Sequence, residues 1–216
     1  MRISIATPKA IRYACLNFHY AKAVPGNKYS FNVFNDKDEW CGIIMYGYGA
    51  NSQIAKPFGL YQGEVLELVR AALNGKQETT SKAVAMTLRE LHKIAPHIKL
   101  VVSYADLDQE HAGIIYQATN WIYLGKYNEG SVHAFILNGK KTHTKTIGNR
   151  YGTSSFTYIK KHIDTNAKQF ITKGKHKYIF VFDKKLRKKW LEQSKPYPKR
   201  GDNNGTGRFN TDERTN

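Results

Sequence analysis

Cysteine is nearly missing from this chain: Cys15 and Cys41 are the two in 216 residues. Two thiols cannot build a disulfide framework, so a reducing, cytoplasmic setting is expected. No run of about 18 apolar residues occurs, so no membrane-spanning helix and no membrane partner are expected. The opening stretch MRISIATPKAIRYACLNFHYAK has no long apolar core and no small-residue cleavage pattern, so no secretory leader is expected. Acidic residues are the remaining shortage. Seventeen Asp and Glu face 34 Lys and Arg, for a net charge of +17. The imbalance is local: residues 1–138 hold 14 basic and 11 acidic side chains, 139–200 hold 18 and 3, and 201–216 hold 2 and 3. Basic charge concentrated in one segment points to a polyanion, and to double-stranded DNA before membrane, because no amphipathic anchor or lipidation motif accompanies it.

Hydrophobic residues make up 41% of the chain, enough for a core in one decorated domain. YSFNVF (29–34) alternates as a half-buried strand does, and GIIMYGY (42–48) and VLELV (65–69) read as two more. SKAVAMTLRELHKIA (81–95) carries Val84, Leu88, Leu91 and Ala95 on one helical stripe, with Ser81 and the preceding threonines as caps and Pro96 as the stop. IKLVVSYA (98–105) is apolar almost throughout, as a central strand is. A second helix is expected at about 110–122, then strands at 132–137 and 177–182. The order implies an α+β (α/β mixed-sheet) fold. After the Asn138-Gly139 turn, two short helices around Gly152, the second capped by Thr153 or Ser154, resemble a helix–turn–helix inside the basic segment. The expected division is a core at 1–138, a basic insertion at 139–174, a final core strand at 175–183, a basic segment at 184–200 and a disordered polar tail at 201–216.

The chemistry concentrates at one strand–helix junction. Asp106 ends the strand at 98–105, where ligands collect in open α/β sheets, and Tyr116 follows ten residues later. A carboxylate there takes a proton or orients a base, and a tyrosine gives one; a turn-capping Asp is the plain alternative. His19 is an acid/base candidate. Cys15 and His19, four apart, supply two metal ligands at most, which define no site. Tyr20, Tyr104 and Trp121 can stack on a base, although Trp121 also reads as core. Residues 74–81, NGKQETTS, lead into a helix N-terminus, where amides favour phosphate. Lys140, Lys141, Lys145, Arg150, Lys160, Lys161, Lys175 and Lys177 are the expected DNA contacts.

HYAK (19–22), GANSQIAKPFG (49–59), LELVR (66–70), SYADLDQEHAGIIYQATNWIYLG (103–125), YGT (151–153), GKHKYIF (174–180) and PYPK (196–199) occur in one order. Together they resemble the phage Mu Mom-type DNA modification proteins from about residue 12 to 200. The resemblance implies a GNAT-like (Gcn5-related N-acetyltransferase) fold. It also implies conversion of adenine in phage DNA to an N6-methylcarbamoyl (carbamoylmethyl-type) derivative, which protects that DNA from host restriction. Asp106, Tyr116, His19 and Tyr20 match the catalytic positions it implies; Arg70 and, more loosely, Ser81 match functional ones, and they are assigned with Ser103 to the donor. The donor is a small molecule left open: acetyl-CoA, another coenzyme A thioester, or a donor with an iron requirement, with no metal ligands assigned. The glycine-rich acyl-carrier loop Q/R-x-x-G-x-G/A is missing at 74–81, a departure from the wider superfamily. Two other readings compete: a conventional acetyltransferase acting on protein or small-molecule amines, and a nucleic-acid-binding protein without activity.

Overall fold

The computed structural model describes residues 1–199, and both Arg200 and the expected tail at 201–216 lie outside the described residues. Seven strands form the main sheet in the order β1-β2-β3-β4-β5-β10-β6. β1 (Arg2–Ile5), β2 (Tyr29–Phe34), β3 (Trp40–Gly47) and β4 (Val65–Leu73) are successively antiparallel. β4 is parallel to β5 (Leu100–Asp106), and β10 (Lys175–Val181) lies antiparallel between β5 and β6 (Ile122–Tyr127). This is the mixed α+β sheet that the sequence implies.

Alternation along the strands sorts the core onto two faces. On one face Leu66, Leu68, Val101 and Ala105 pack with Val84, Leu88 and Leu91 of α2 (Thr80–Ile94). That helix starts where Thr79 accepts the Lys82 N–H. On the other face Ile43, Met45 and Ala72 pack with Ile11, Ala14 and Cys15 of α1 (Pro8–Asn17). Further along the same face, Leu100, Val102, Ile122 and Ile179 pack against Leu186 and Trp190 of α6 (Lys184–Leu191).

Two irregularities shape the site. β4 and β5 pair only over Val65–Glu67 and Leu100–Val102, then part although both strands continue. β4 also bulges: Leu68 faces Tyr46 and Arg70 faces Met45, which leaves Val69 as the extra residue. Leu68 and Ala71 both sit on the α2 face, so the two residues between them lie off it. Strict alternation would have turned Arg70 toward α2; the bulge keeps it on the side of Glu67.

The structure corrects three expectations. The helix expected at 110–122 is a single turn, α3 (Ile114–Gln117), because Gly113 enters it at φ +75° and β6 begins at Ile122. The strand at 132–137, β7 (Val132–Leu137), is not in the main sheet. β6 is the last strand of that sheet, and left-handed Asn128 and Gly130 turn the chain away from it. β7 instead joins β8 (Lys140–His143) and β9 (Lys168–Ile171) in a three-stranded sheet ordered β8-β7-β9. The inserted unit therefore begins near 132 rather than 139. α4 (Thr144–Tyr151) and α5 (Phe156–His162) cover it around Gly152, as expected, but Ser155 rather than Thr153 or Ser154 caps the second, because Thr153 Oγ1 accepts the Ser155 N–H instead. Phe135, Leu137, Ile147, Ile159 and Ala167 give the unit a small core of its own.

Candidate functional site

The gap between β4 and β5 opens at the end of the sheet where β5 stops. β6 ends and β10 begins at the same end, with Lys175 opposite both Asp106 and Tyr127. The inserted basic unit leaves and rejoins the main sheet there.

On the α1 face the gap is lined by Glu67, Arg70, Tyr104 and Asp106, with His19 and Tyr20 from the segment after α1. Arg70 Nη1 lies 2.8 Å from His19 Nδ1 and 3.2 Å from Nε2, and the Ala21 N–H donates to Nδ1 at 3.1 Å. Nδ1 is thus the acceptor and Nε2 the proton-bearing nitrogen. Burial first, then the charges of Arg70, His111 and Lys22, bring the His19 pKa down to about 4, so the ring is neutral near pH 7. The Tyr20 ring rests on His19 at 4.3 Å, is 56% exposed, and turns its edge toward His111 at 6.3 Å. Its hydroxyl pKa is raised by burial and by the Asp106 charge. Asp106 Oδ1 accepts the Asp108 N–H at 3.0 Å, so one oxygen caps the short 3-10 turn Leu107–Gln109. The turn-cap reading therefore holds for that oxygen.

Tyr116 is on the other face. Its Oη lies 2.8 Å from Ser103 Oγ, which is also 3.3 Å from the Leu68 carbonyl. Leu68 is the first β4 residue past the paired stretch, and the Ser103 hydroxyl reaches the carbonyl that β5 no longer covers. Burial pushes the Tyr116 pKa up to about 12, so it holds its proton at neutral pH. The predicted site is thus two half-sites, His19, Tyr20, Arg70 and Asp106 on one face and Ser103 and Tyr116 on the other, joined through the gap. Ser81 lies apart at the start of α2, on Thr79 Oγ1. Trp121 is 1% exposed and packs on Tyr116 and Phe180, so the core reading holds for it. Cys15 is buried with its thiol on Met45.

Sequence reasoning missed Glu67. Burial raises its pKa against the opposing charges of Lys175 and Arg70. Among the described residues no side chain or backbone donor reaches its carboxylate. The signal was present, as a lone acid inside V-L-E-L-V, where each neighbour is apolar. Gly49 of the GANSQ loop lies against Glu67 Oε2, and a Cβ there would overlap it.

The predicted DNA contacts separate by environment. Lys177 is half-buried, with Nζ 5.0 Å from the Phe58 ring, and burial lowers its pKa. Lys141 sits over Phe170 and 3.5 Å from Asp108. Lys140, Lys145, Arg150, Lys160 and Lys161 are exposed on the inserted unit. Asp108 joins that unit to the β5 loop. It accepts the Thr172 hydroxyl at 2.8 Å and the Lys173 N–H at 2.9 Å. Burial alone would raise its pKa, but these donors and Lys141 hold it below the usual carboxylate range. The clamp is at full strength above the unfolded Asp value of about 3.9 and is lost as pH falls through the lower folded value. Asp108→Ala strips two donors of their acceptor, an expected cost of about 2 kcal/mol. At pH 7 a thermal melt drops by roughly 4–8 °C; an unchanged melt refutes the clamp.

Among the described residues no group of three or more His, Cys, Asp or Glu side chains is arranged to hold a metal. The Arg70 guanidinium on His19 would repel a cation there, so iron finds no ligand set in this cleft. No described helix is long and apolar enough to cross a membrane.

A model of the Mom protein family matches residues 1–199 of the chain. The chain is 25% identical over 192 residues to methylcarbamoylase mom of Escherichia phage Mu, an alignment spanning 84% of this chain and 76% of that protein. Among solved structures it is similar to a chimera of spermidine N-acetyltransferase SpeG from Vibrio cholerae and hSSAT, at 11% identity, over 88% of this chain and 99% of that one, with a TM-score of 0.48. It is also similar to a Bacillus subtilis acetyltransferase in complex with CoA, at 10% identity, over 84% and 99% of the two chains, with a TM-score of 0.45.

Proposed function

The chain belongs to the Mom protein family, and from that premise we propose that it is a GNAT-like transferase that modifies adenine N6 in DNA with a methylcarbamoyl (carbamoylmethyl-type) group. The observation that carries this reading is the placement of the basic inserted unit, which leaves the sheet at the end where the β4–β5 gap opens beside Asp106. A polyanion held by that unit lies next to the cleft. Neither competing reading accounts for it: amine acetylation gives the basic unit no role, and DNA binding without chemistry gives the gap no role.

N6 is a poor nucleophile because its lone pair is delocalised into the ring, so attack must be matched by loss of a proton. The acceptor base enters from the α1 face, and the donor reaches the gap from the α2 face. A bond forms between N6 and the transferred group while the bond to the donor's leaving group breaks. One N6 proton passes to Asp106, and Tyr116, protonated at neutral pH, gives its proton to the leaving group. Ser103 orients the Tyr116 hydroxyl. The open first-turn amides of α2 and Ser81 would hold the phosphates of a coenzyme A thioester, which would supply an activated carbonyl; to yield the methylcarbamoyl group, the transferred carbonyl would already have to carry the group's nitrogen. In a duplex N6 is paired, so the adenine flips out at a cost of about a few kcal/mol, and exposed Tyr20 is the platform it stacks on.

Mass spectrometry of nucleosides from the DNA of cells expressing the chain is the test. A heavier deoxyadenosine is expected, and its mass identifies the group. Unmodified deoxyadenosine in cells holding soluble protein sinks the proposal.

A further inference from the structure

We propose that Glu67 and Arg70 form a clamp for the Watson–Crick edge of a flipped adenine, with Glu67 accepting one N6–H and the Arg70 Nε–H donating to N1. The inference rests on the adenine-modifying reading and adds to it how the base is recognised.

The carrying observation is a donor and an acceptor left open side by side. Arg70 Nε is buried and has no hydrogen-bond partner among the described residues. Its Nη1 is committed to His19, which fixes the guanidinium plane and leaves Nε–H directed elsewhere. The Glu67 carboxylate is half-buried and has no donor among the described residues, and Arg70 and Lys175 are near enough for their charges to act on it. A buried donor such as the Arg70 Nε–H is costly to leave unpaired, and native structures keep few of them without cause. Both side chains owe their shared face to the Val69 bulge. Among the described residues Arg70 makes no ion pair with Glu67, so the carboxylate is not already committed to the guanidinium.

The ligand follows from that pattern. In the duplex, adenine meets thymine through two hydrogen bonds, one given by N6–H and one accepted at N1. Flipping breaks both. A carboxylate and an N–H group offered together replace one for one what flipping removes, and reading of that edge is how flipped bases are recognised. Tyr20, resting on the His19 ring that Arg70 also holds, gives the same base a stacking face. N6 carries two hydrogens. The one beside N1 is held by Glu67, and the one on the N7 side is free to leave toward Asp106, so the clamp and the assigned proton acceptor do not compete. Gly49 makes room for the carboxylate.

The test needs no donor. Duplexes are prepared with one unpaired purine opposite an abasic site: adenine, 1-deazaadenine (no N1 acceptor) or purine (no N6 amine). Affinities are measured for the full chain, Arg70→Lys and Glu67→Gln. The unmutated chain is expected to bind adenine about tenfold tighter than either analogue, the worth of one hydrogen bond whose buried partner is left open. Arg70→Lys should lose the preference over 1-deazaadenine alone, because lysine has no Nε–H fork. Glu67→Gln should weaken the preference over purine while leaving that over 1-deazaadenine. Equal affinity of the unmutated chain for all three duplexes overturns the clamp, even where cellular deoxyadenosine is heavier and the adenine-modifying reading stands. Absence of affinity for any duplex overturns both. A general loss in a variant with preferences unchanged assigns that side chain to folding and overturns its role in the edge.

Discussion

Asp106→Asn should fold, bind DNA as tightly as the unmutated chain, and modify it about 10²–10⁴-fold more slowly, the usual range for loss of a proton acceptor. The isosteric amide is the informative choice. An asparagine side-chain oxygen can still accept the Asp108 N–H that Asp106 Oδ1 accepts now, so the turn at Leu107–Gln109 keeps its cap. What disappears is the negative charge facing Tyr20 and His111. Asp106→Ala removes cap and charge together and should combine the rate loss with a lower melting temperature. If Asp106→Asn modifies DNA at the normal rate, Asp106 is a cap and no more. The proton acceptor must then be the other carboxylate of the cleft, Glu67, whose raised pKa would suit the task. Nucleoside mass spectrometry of a timed reaction, with melting curves beside it, separates these outcomes.

The parts of this molecule that were legible in its sequence are those that local pattern controls. β5 was readable because its run of apolar residues is buried on both faces of a central strand, and α2 because Val84, Leu88 and Leu91 repeat at helical spacing. The two helices of the inserted unit were readable from Gly152 and the hydroxyl residues around it. Other features depend on contacts between distant segments. Nothing in VHAFIL says which sheet takes it; its partners are β8 and, about 30 residues later, β9, rather than the neighbouring β6. The shortness of α3 follows from Gly113, where a Cβ would overlap the Tyr178 ring. Asp106 and Tyr116 looked like one pair because they are ten residues apart, yet Asp106 ends β5 on the α1 side while α3 carries Tyr116 into the core on the α2 side. The same limit hid Glu67. The V-L-E-L-V pattern shows an acid among apolar neighbours, but the Val69 bulge that sets Arg70 beside it is a matter of register with β3.

The second large effect is on affinity. Raising salt from 50 to 200 mM should weaken DNA binding by about 10³-fold if roughly six phosphates are neutralised, since log affinity falls by about 0.9 per phosphate per log unit of salt. The structure narrows which cations supply that slope. Lys177 lies against Phe58 and Tyr127, and Lys141 is held by Asp108 and Phe170, so neither is free to follow a phosphate backbone. Lys140, Lys145, Arg150, Lys160 and Lys161 are exposed, and four of them ride on α4 and α5. Replacing these five by Gln, singly and together, should flatten the salt dependence by about one unit for each phosphate contact removed, whatever the DNA sequence. Lys141→Gln should do less to the slope and more to the melting temperature, because its partners are internal. A slope unchanged in the fivefold variant would mean that the inserted unit is not what holds DNA. The net charge of residues 139–200 would then have to act through the segment after α6 and through α6 itself, whose Lys184, Lys185, Lys188 and Lys189 stand exposed on the same side of the sheet as α1. A charge-neutralised α6 would separate that route from the first, since each predicts a different set of lysines carrying the same electrostatic term.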